Sequence, residues 1–167
     1  MNAEDGQQIL DLYPLSPVQQ GMLFHGLLEQ HAGVYVVQVS FSLIGDLNQD
    51  AFESAWNQLI HRHDPLRTAF VWEQVDQPLQ VVGKKAAITI NKLDWESKNI
   101  EKDRFKNPET IPDYQEWLSI DRMRGFNFSS APLMRVTQFR IAGNHHRVVW
   151  TYHHPVSYTH LTLPTKA

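Results

Sequence analysis

The sequence predicts a single α/β domain, a sandwich in which helices cover a mixed β-sheet. Segments with helical periodicity alternate along the chain with segments in which every second residue is apolar. Apolar residues make up 42% and charged residues 20% of the 167 residues, which is typical of a soluble globular domain. No internal repeat or low-complexity tract is present, and periodicity leaves the order of the strands open.

Composition excludes several classes of function. The chain has fifteen Lys and Arg residues and eighteen Asp and Glu residues. Because it has no long basic run, we expect no nucleic-acid partner. The chain has no cysteine, which excludes disulfides and thiolate chemistry and agrees with a cytoplasmic location. No apolar run approaches the roughly 20 residues of a membrane span, and the start lacks the pattern of a secretory signal, so we expect no membrane partner.

The first helix has a clear start. Ser16 is placed as the N-cap, Pro17 occupies the first helical position, and Gln19 completes a capping box. We expect this helix to run to about Gln30, with Gly33 as a stop. Its predicted apolar stripe consists of Val18, Met22, Leu23 and Leu27.

A strand and a second helix follow. Residues 35–43 alternate between apolar and polar positions and predict a strand. Asn48 can cap a helix that ends near His63, and a further strand is expected at residues 66–73. The predicted buried face of this helix consists of Phe52, Trp56, Leu59 and Ile60.

The middle of the chain predicts two short strands and a third helix. Residues 78–82 and 86–93 flank a turn and have strand-like composition. Asp113 and Glu116 have the spacing of a capping box, which predicts a helix that closes at Gly125.

The last predicted elements form a hairpin. Residues 133–141 and 146–154 are strand-like and are joined by a turn that contains Gly and Asn. The second strand is expected to end at the pair His153 and His154.

Three segments, in this order, resemble the leading motifs of condensation domains from nonribosomal peptide synthetases. They are residues 13–25 (YPLSPVQQGMLFH), 62–70 (RHDPLRTAF) and 152–154 (YHH). Residues 126–136 (FNFSSAPLMRV) resemble the stretch that leads into the active-site hairpin. The resemblance covers about residues 10–154 and implies a chloramphenicol acetyltransferase-like sandwich, of which this chain would supply a single lobe of a two-lobed fold.

The resemblance also implies a reaction. Condensation domains join two substrates by an amide bond, each carried as a thioester on the 4′-phosphopantetheine of a carrier domain, and they bind no cofactor directly. The implied partners are peptidyl carrier and adenylation domains and the missing C-terminal lobe. The family motif has two histidines, three variable residues and then Asp-Gly. By position His154 is the catalytic histidine and His153 is its structural neighbour.

The chain departs from this motif after His154. Tyr158 and Thr159 stand where the family has Asp and Gly. We therefore expect residues 1–154 to be the lobe and residues 155–167 to be a cloning or translation artefact, so that the fragment is inactive alone. In an intact domain the motif Asp would pair with a buried arginine, for which Arg67 is a candidate.

Simpler interpretations apply to several of these residues. Adjacent histidines on a strand point to opposite faces, so neither His153 with His154 nor His145 with His146 predicts a metal site. Without the resemblance, the pair at the end of the strand would be structural. Arg62 and Arg67 could both be solvated charges. The apolar residues predicted to lie in the core rather than in a substrate site are Met22, Phe24, Phe52 and Trp56. Ser16 is assigned to capping rather than to nucleophilic chemistry.

Three rival functions remain open. An epimerisation domain uses the same fold and a similar histidine motif, although Pro17, Gln20, Gly21 and Met22 favour condensation. A freestanding acyltransferase that uses coenzyme A would share the histidine without neighbouring carrier modules. A noncatalytic fragment is the third alternative, and it is the one expected for the chain taken alone.

Overall fold

The computed structural model describes residues 9–29, 32–96 and 110–154. The segment 155–167, which includes Tyr158 and Thr159, lies outside the described residues, so the predicted artefact there stays a prediction. The described strands are β1 (Ile9–Pro14), β2 (Val36–Ile44), β3 (Thr68–Val71), β4 (Leu79–Gly83), β5 (Asn91–Asp94), β6 (Met134–Ala142) and β7 (His145–His153). The described helices are α1 (Pro17–Leu28), α2 (Gln49–Arg62) and α3 (Pro112–Met123), with a short 3-10 helix at Asp64–Arg67.

The described strands form two sheets. The larger sheet has the order β2-β7-β6-β5, in which β5 runs parallel to β6 and the other pairs are antiparallel. The mixed sheet predicted from the sequence is therefore confirmed. A second, antiparallel sheet has the order β1-β4-β3 and was not expected. Strand β7 is central in the larger sheet, which fixes both of its edges.

Local hydrogen bonds explain where α1 and α2 begin. The Ser16 hydroxyl accepts from the Gln19 amide at 3.3 Å, and the Gln19 side chain accepts from the Ser16 amide at 3.0 Å. The predicted capping box is thus confirmed, although α1 ends at Leu28 rather than near Gln30. Asn48 caps α2 as predicted, since its side chain accepts from the Ala51 amide at 3.0 Å.

The predicted start of α3 is wrong by two positions. The N-cap is Ile111, which makes no side-chain cap hydrogen bond, and Pro112 opens the helix. Asp113 therefore lies inside the first turn, where it cannot cap, and the proposed box with Glu116 does not form. The predicted end is confirmed, because Gly125 adopts a φ of 61° just after the helix.

Two predicted strands are shorter than expected. The segment predicted as 66–73 begins instead with the 3-10 helix, because Pro65 favours a turn conformation, and only Thr68–Val71 is a strand. Of residues 86–93, only 91–93 are in a strand, which continues to Asp94. The hairpin is confirmed: β6 and β7 are joined by Gly143 and Asn144.

The core lies on both faces of the larger sheet and beneath the smaller one. Helix α2 covers one face of the larger sheet, where Ile60 packs with Val136 and Val148. Helix α3 covers the other, where Tyr114 packs with Phe139. The third cluster joins α1 to the smaller sheet and consists of Leu15, Leu23, Phe70, Phe128 and Leu133. No helix in the described ranges has the length and apolar character of a membrane span.

Three residues predicted to be buried are not. Phe24 is 60% exposed and Val18 is 51% exposed, because the buried face of α1 is centred on Gln19, Leu23 and Gly26. At 100° per residue Phe24 points away from that face. The core prediction for Phe24 is therefore wrong, and so is the predicted burial of Val18 and of Leu59, which is 37% exposed. The other residues of that core prediction, Met22, Phe52 and Trp56, are half-buried.

Candidate active site

The predicted histidine pair lies at the end of the central strand β7. The His153 amide donates to the carbonyl of Leu133 at 3.0 Å, and the His154 amide donates to the carbonyl of Tyr35 at 2.8 Å. Val36 at the start of β2 is the cross-strand partner of His153. Neighbouring segments therefore hold both backbones: His153 is the last residue of β7, and His154 begins the turn that follows it.

His153 is enclosed by aromatic rings and by helix α1. Its side chain is 1% exposed, and its ring meets Phe128 edge-on at a centroid distance of 4.7 Å. The rings of Phe126 and Tyr35 approach from 6.3 and 6.4 Å. The imidazole is thereby largely shielded from water.

This enclosure changes the protonation of His153. Burial lowers the pKa of His153 from its ordinary value to about 4, a hydrogen bond with the backbone of Val34 opposes this, and the neighbouring His154 lowers it slightly further. Within the described part of the chain its buried Nδ1 has no hydrogen-bond partner. At neutral pH this imidazole is uncharged.

His154 has different surroundings. It is half-buried and lies in the turn just after β7, whose residues Trp150 and Tyr152 pack on the side that faces α2. The rings of Trp150 and Tyr152 lie 4.5 Å apart, and Trp56 of α2 lies 5.7 Å from Trp150. An aromatic row thus runs along this side of the sheet towards the end of β7, which the half-buried His154 follows.

The motifs that surround this site match a known family. The family model described as "Condensation domain" matches residues 9–157. The chain belongs to the condensation-domain family. That match contains all four of the sequence segments that carried the resemblance.

Relatives of this condensation-domain chain are large synthases. The chain is 36% identical over 154 residues to tyrocidine synthase 2 from Brevibacillus parabrevis, covering 92% of the chain and 4% of that protein. Among solved structures, it superposes on a four-domain nonribosomal peptide synthetase bound to AMP and glycine with a TM-score of 0.74 and 18% identity, covering 89% and 10%. It superposes on the starter condensation domain of rhizomide synthetase with a TM-score of 0.70 and 23% identity, covering 87% and 34%.

These likenesses confirm the predicted fold class, a chloramphenicol acetyltransferase-like sandwich. The condensation-domain chain spans about a third of the matched starter domain and a few per cent of tyrocidine synthase 2.

Gly26 was not recognised in the sequence as part of the site. A Cβ at Gly26 would lie 2.6 Å from Cζ of Phe128 and 3.6 Å from Nε2 of His153. Only a residue without a side chain lets α1 approach the enclosed histidine this closely. The available signal was the glycine itself, because a glycine inside a helix is unfavourable unless close packing requires it.

Arg67 is buried, so the interpretation as a solvated charge is wrong for it, whereas Arg62 is exposed. The Arg67 guanidinium donates to the carbonyls of Gly83 and Lys84 at 3.1 and 3.2 Å and pairs with the carboxylate of Asp64. Its Nε has no hydrogen-bond partner within the described residues. The predicted pairing with a motif Asp concerns position 158, outside those residues, and stays a prediction.

The remaining candidates have structural surroundings. Ser16 is occupied by capping, as expected. Across residues 9–29, 32–96 and 110–154, no group of three or more His, Cys, Asp or Glu side chains is arranged to hold a metal ion.

Proposed function

We propose that this chain is the first lobe of a condensation domain that forms amide bonds during nonribosomal peptide assembly. The observation that carries the proposal is the contrast between its two adjacent histidines in a condensation-domain fold. His153 is enclosed and neutral, whereas the adjacent His154 is half-buried and its backbone is held by Tyr35.

In the proposed reaction, an acceptor amine attacks the carbonyl carbon of the donor thioester. A C–N bond forms, and the C–S bond breaks when the tetrahedral intermediate collapses. His154 takes the proton from the attacking nitrogen and returns it to the departing sulfur, which leaves as a thiol. Imidazole suits this role because its ordinary pKa lies close to physiological pH.

The proposed substrates come attached to partners. The 4′-phosphopantetheine arms of peptidyl carrier domains deliver both thioesters, and adenylation domains supply the amino acids, so the lobe itself holds no cofactor. The names of the matched synthases support this assignment of partners. The absence of cysteine supports a cytoplasmic location.

The exposed surface of α1 supports the proposal that a second lobe packs against this chain. This helix contains no Asp, Glu, Lys or Arg, and its outer face exposes Phe24 by 60% and Leu28 by 66%. Exposed large apolar side chains on one face of a helix often mark an interaction surface. We infer that the outer face is covered in the complete domain and that the chain alone is noncatalytic.

A chimera tests the proposal. Residues 9–154 are joined to the segment of tyrocidine synthase 2 that follows its matching region. The chimera is then mixed with two carrier domains charged with aminoacyl thioesters, and mass spectrometry detects a dipeptidyl thioester. We expect product from the chimera and none from the chain alone. Product from the chain alone would show that no second lobe is needed.

Variants of the chimera test His154. We expect His154→Ala to lower the rate by about 10²- to 10⁴-fold, the usual contribution of a general base. His61→Ala, at an exposed histidine of α2, is the control and should keep the rate. If His154→Asn restores most of the rate, the imidazole orients the amine rather than accepting its proton. A full rate in His154→Ala rejects the assignment, and inversion of the donor α-carbon without amide formation indicates an epimerisation domain.

A further inference from the structure

An ion pair between a buried carboxylate and a partly buried guanidinium lies between α3 and the larger sheet. The Asp121 side chain is 6% exposed, and its Oδ1 accepts from Nε of Arg135 at 2.6 Å. Its Oδ2 accepts from Thr151 at 2.7 Å and from Gln38 at 2.9 Å. The carboxylate is therefore fully engaged by three side chains.

The three donors are cross-strand neighbours. Gln38 on β2 lies opposite Thr151 on β7, and Thr151 lies opposite Arg135 on β6. Asp121 comes from α3, so one carboxylate ties a helix to three adjacent strands. Thr151 precedes His153 by two residues, which puts both on the same face of the sheet.

Arg135 extends this network to the enclosed histidine. Its guanidinium donates to the carbonyl of Gly125 at 2.8 Å and lies 4.4 Å from the ring centroid of Phe126. The Phe126 ring in turn forms one wall around His153. A continuous path of contacts thus runs from the Asp121 carboxylate to the imidazole.

Stability alone gives little reason for an ion pair at this place. Replacing a buried ion pair by apolar residues of similar volume is often neutral or stabilising, because burying two charges costs as much as their attraction returns. Such a pair does hold its partners in one geometry, since the guanidinium has a planar fork of donors. The arrangement therefore favours a positioning role.

We propose that the Asp121–Arg135 pair positions the histidine end of β7. It clamps the strands beside His153 and fixes Phe126 as a wall of the aromatic enclosure. With that enclosure rigid, the next residue, His154, is held in one orientation towards the substrate. These are positioning residues that contact no reacting atom, and the proposal depends on the proposed function only for the role of His154.

NMR titration of the histidine rings in the intact chain tests this proposal without any substrate. Arg135→Lys keeps the charge and loses the planar fork. We expect water to reach the loosened enclosure, so that the pKa of His153 rises by about one unit towards the ordinary value of about 6.5. The matched control is Arg140→Lys, whose exposed ion pair with Asp94 lies at the other end of β6.

His146 is the internal reference. It is buried at the opposite end of β7, and burial, with smaller effects of His145 and Arg140, lowers its pKa. A positioning role moves the titration of His153 in Arg135→Lys and leaves that of His146 unchanged. Equal shifts at both histidines would mean general loosening of the sheet and would overturn the proposal.

Phe126→Leu provides a second route if Arg135→Lys does not fold. It removes the ring that links the ion pair to His153 and leaves Asp121 and Arg135 in place. We expect the same rise in the pKa of His153, and no further rise when both substitutions are combined, because they act through one path. An unchanged His153 titration in folded Phe126→Leu rejects the path, whatever the chimera assay reports about catalysis.

Discussion

Helix α1 has two faces that are both apolar but differ in what covers them. The inner face packs Leu23 and Gly26 against Phe128 and, through it, against His153. The outer face exposes Phe24 and Leu28. The same twelve residues thus complete one interface within the chain and leave a second uncovered.

This difference explains why hydrophobicity alone did not locate the core. Apolar residues occur on both faces of α1, so the predicted stripe combined buried Leu23 with exposed Val18. The buried face includes Gly26, where the closest approach needs the smallest residue, whereas Gly21 lies exposed. Substitutions on the two sides test this contrast, from the largest expected effect to the smallest.

Truncation of one phenylalanine on each side gives the largest contrast. Phe128 is 5% exposed, so Phe128→Ala should lower the free energy of unfolding by about 3–5 kcal/mol. Phe24→Ala, at an exposed position, should change it by no more than about 0.5 kcal/mol. Urea denaturation measures both. Similar losses in the two variants would mean that the outer face of α1 is already covered in this chain.

Acid should destabilise the inner side through His153. The unfolded chain binds a proton at this histidine near pH 6.5, whereas the folded chain binds it only near pH 4. Above about pH 6.5 this histidine therefore does not change the free energy of unfolding. As the pH falls from about 6.5 to about 4, the free energy of unfolding decreases progressively, by about 3 kcal/mol in all.

Denaturation as a function of pH tests this loss. His153→Leu should flatten most of the pH dependence, and the part that remains should come from His146, whose pKa is lowered in the same direction. Equal stability of the unmodified chain at pH 7 and pH 4 would contradict the enclosure of His153.

A pair of glycine substitutions gives the smallest effect. Gly26→Ala puts a methyl group 2.6 Å from Phe128 and should lower the free energy of unfolding by about 1–3 kcal/mol. Gly21→Ala has nothing within 4 Å and should raise it by up to about 1 kcal/mol, because alanine favours the helix. Thermal unfolding compares the two. Stabilisation by Gly26→Ala would show that α1 does not need this close approach.

The sequence predicted those features of the fold that depend on residues close together in the chain. Ser16 and Gln19 are three residues apart, and the turn of the final hairpin needs only Gly143 and Asn144. The histidine pair was also found from its motif at the end of β7. Asp113 was misassigned because Pro112 also satisfies the requirements of a first helical turn, and the pattern did not choose between them.

Features that depend on distant residues were not predictable in this way. The Gln38 side chain meets Asp121 across 83 positions of the chain, and no local pattern connects them. The parallel pairing of β5 with β6 and the burial of Arg67 belong to the same class.

The sequence by itself determined the N-caps of α1 and α2, the hairpin and the family, because these features depend on residues that are close together in the chain or on motifs in a fixed order. Only the tertiary structure decided that His153 is enclosed while His154 stays accessible. That outcome depends on how α1, α3 and the loop at Phe126 pack against β7. These elements are far apart in the sequence and come together only in the folded chain.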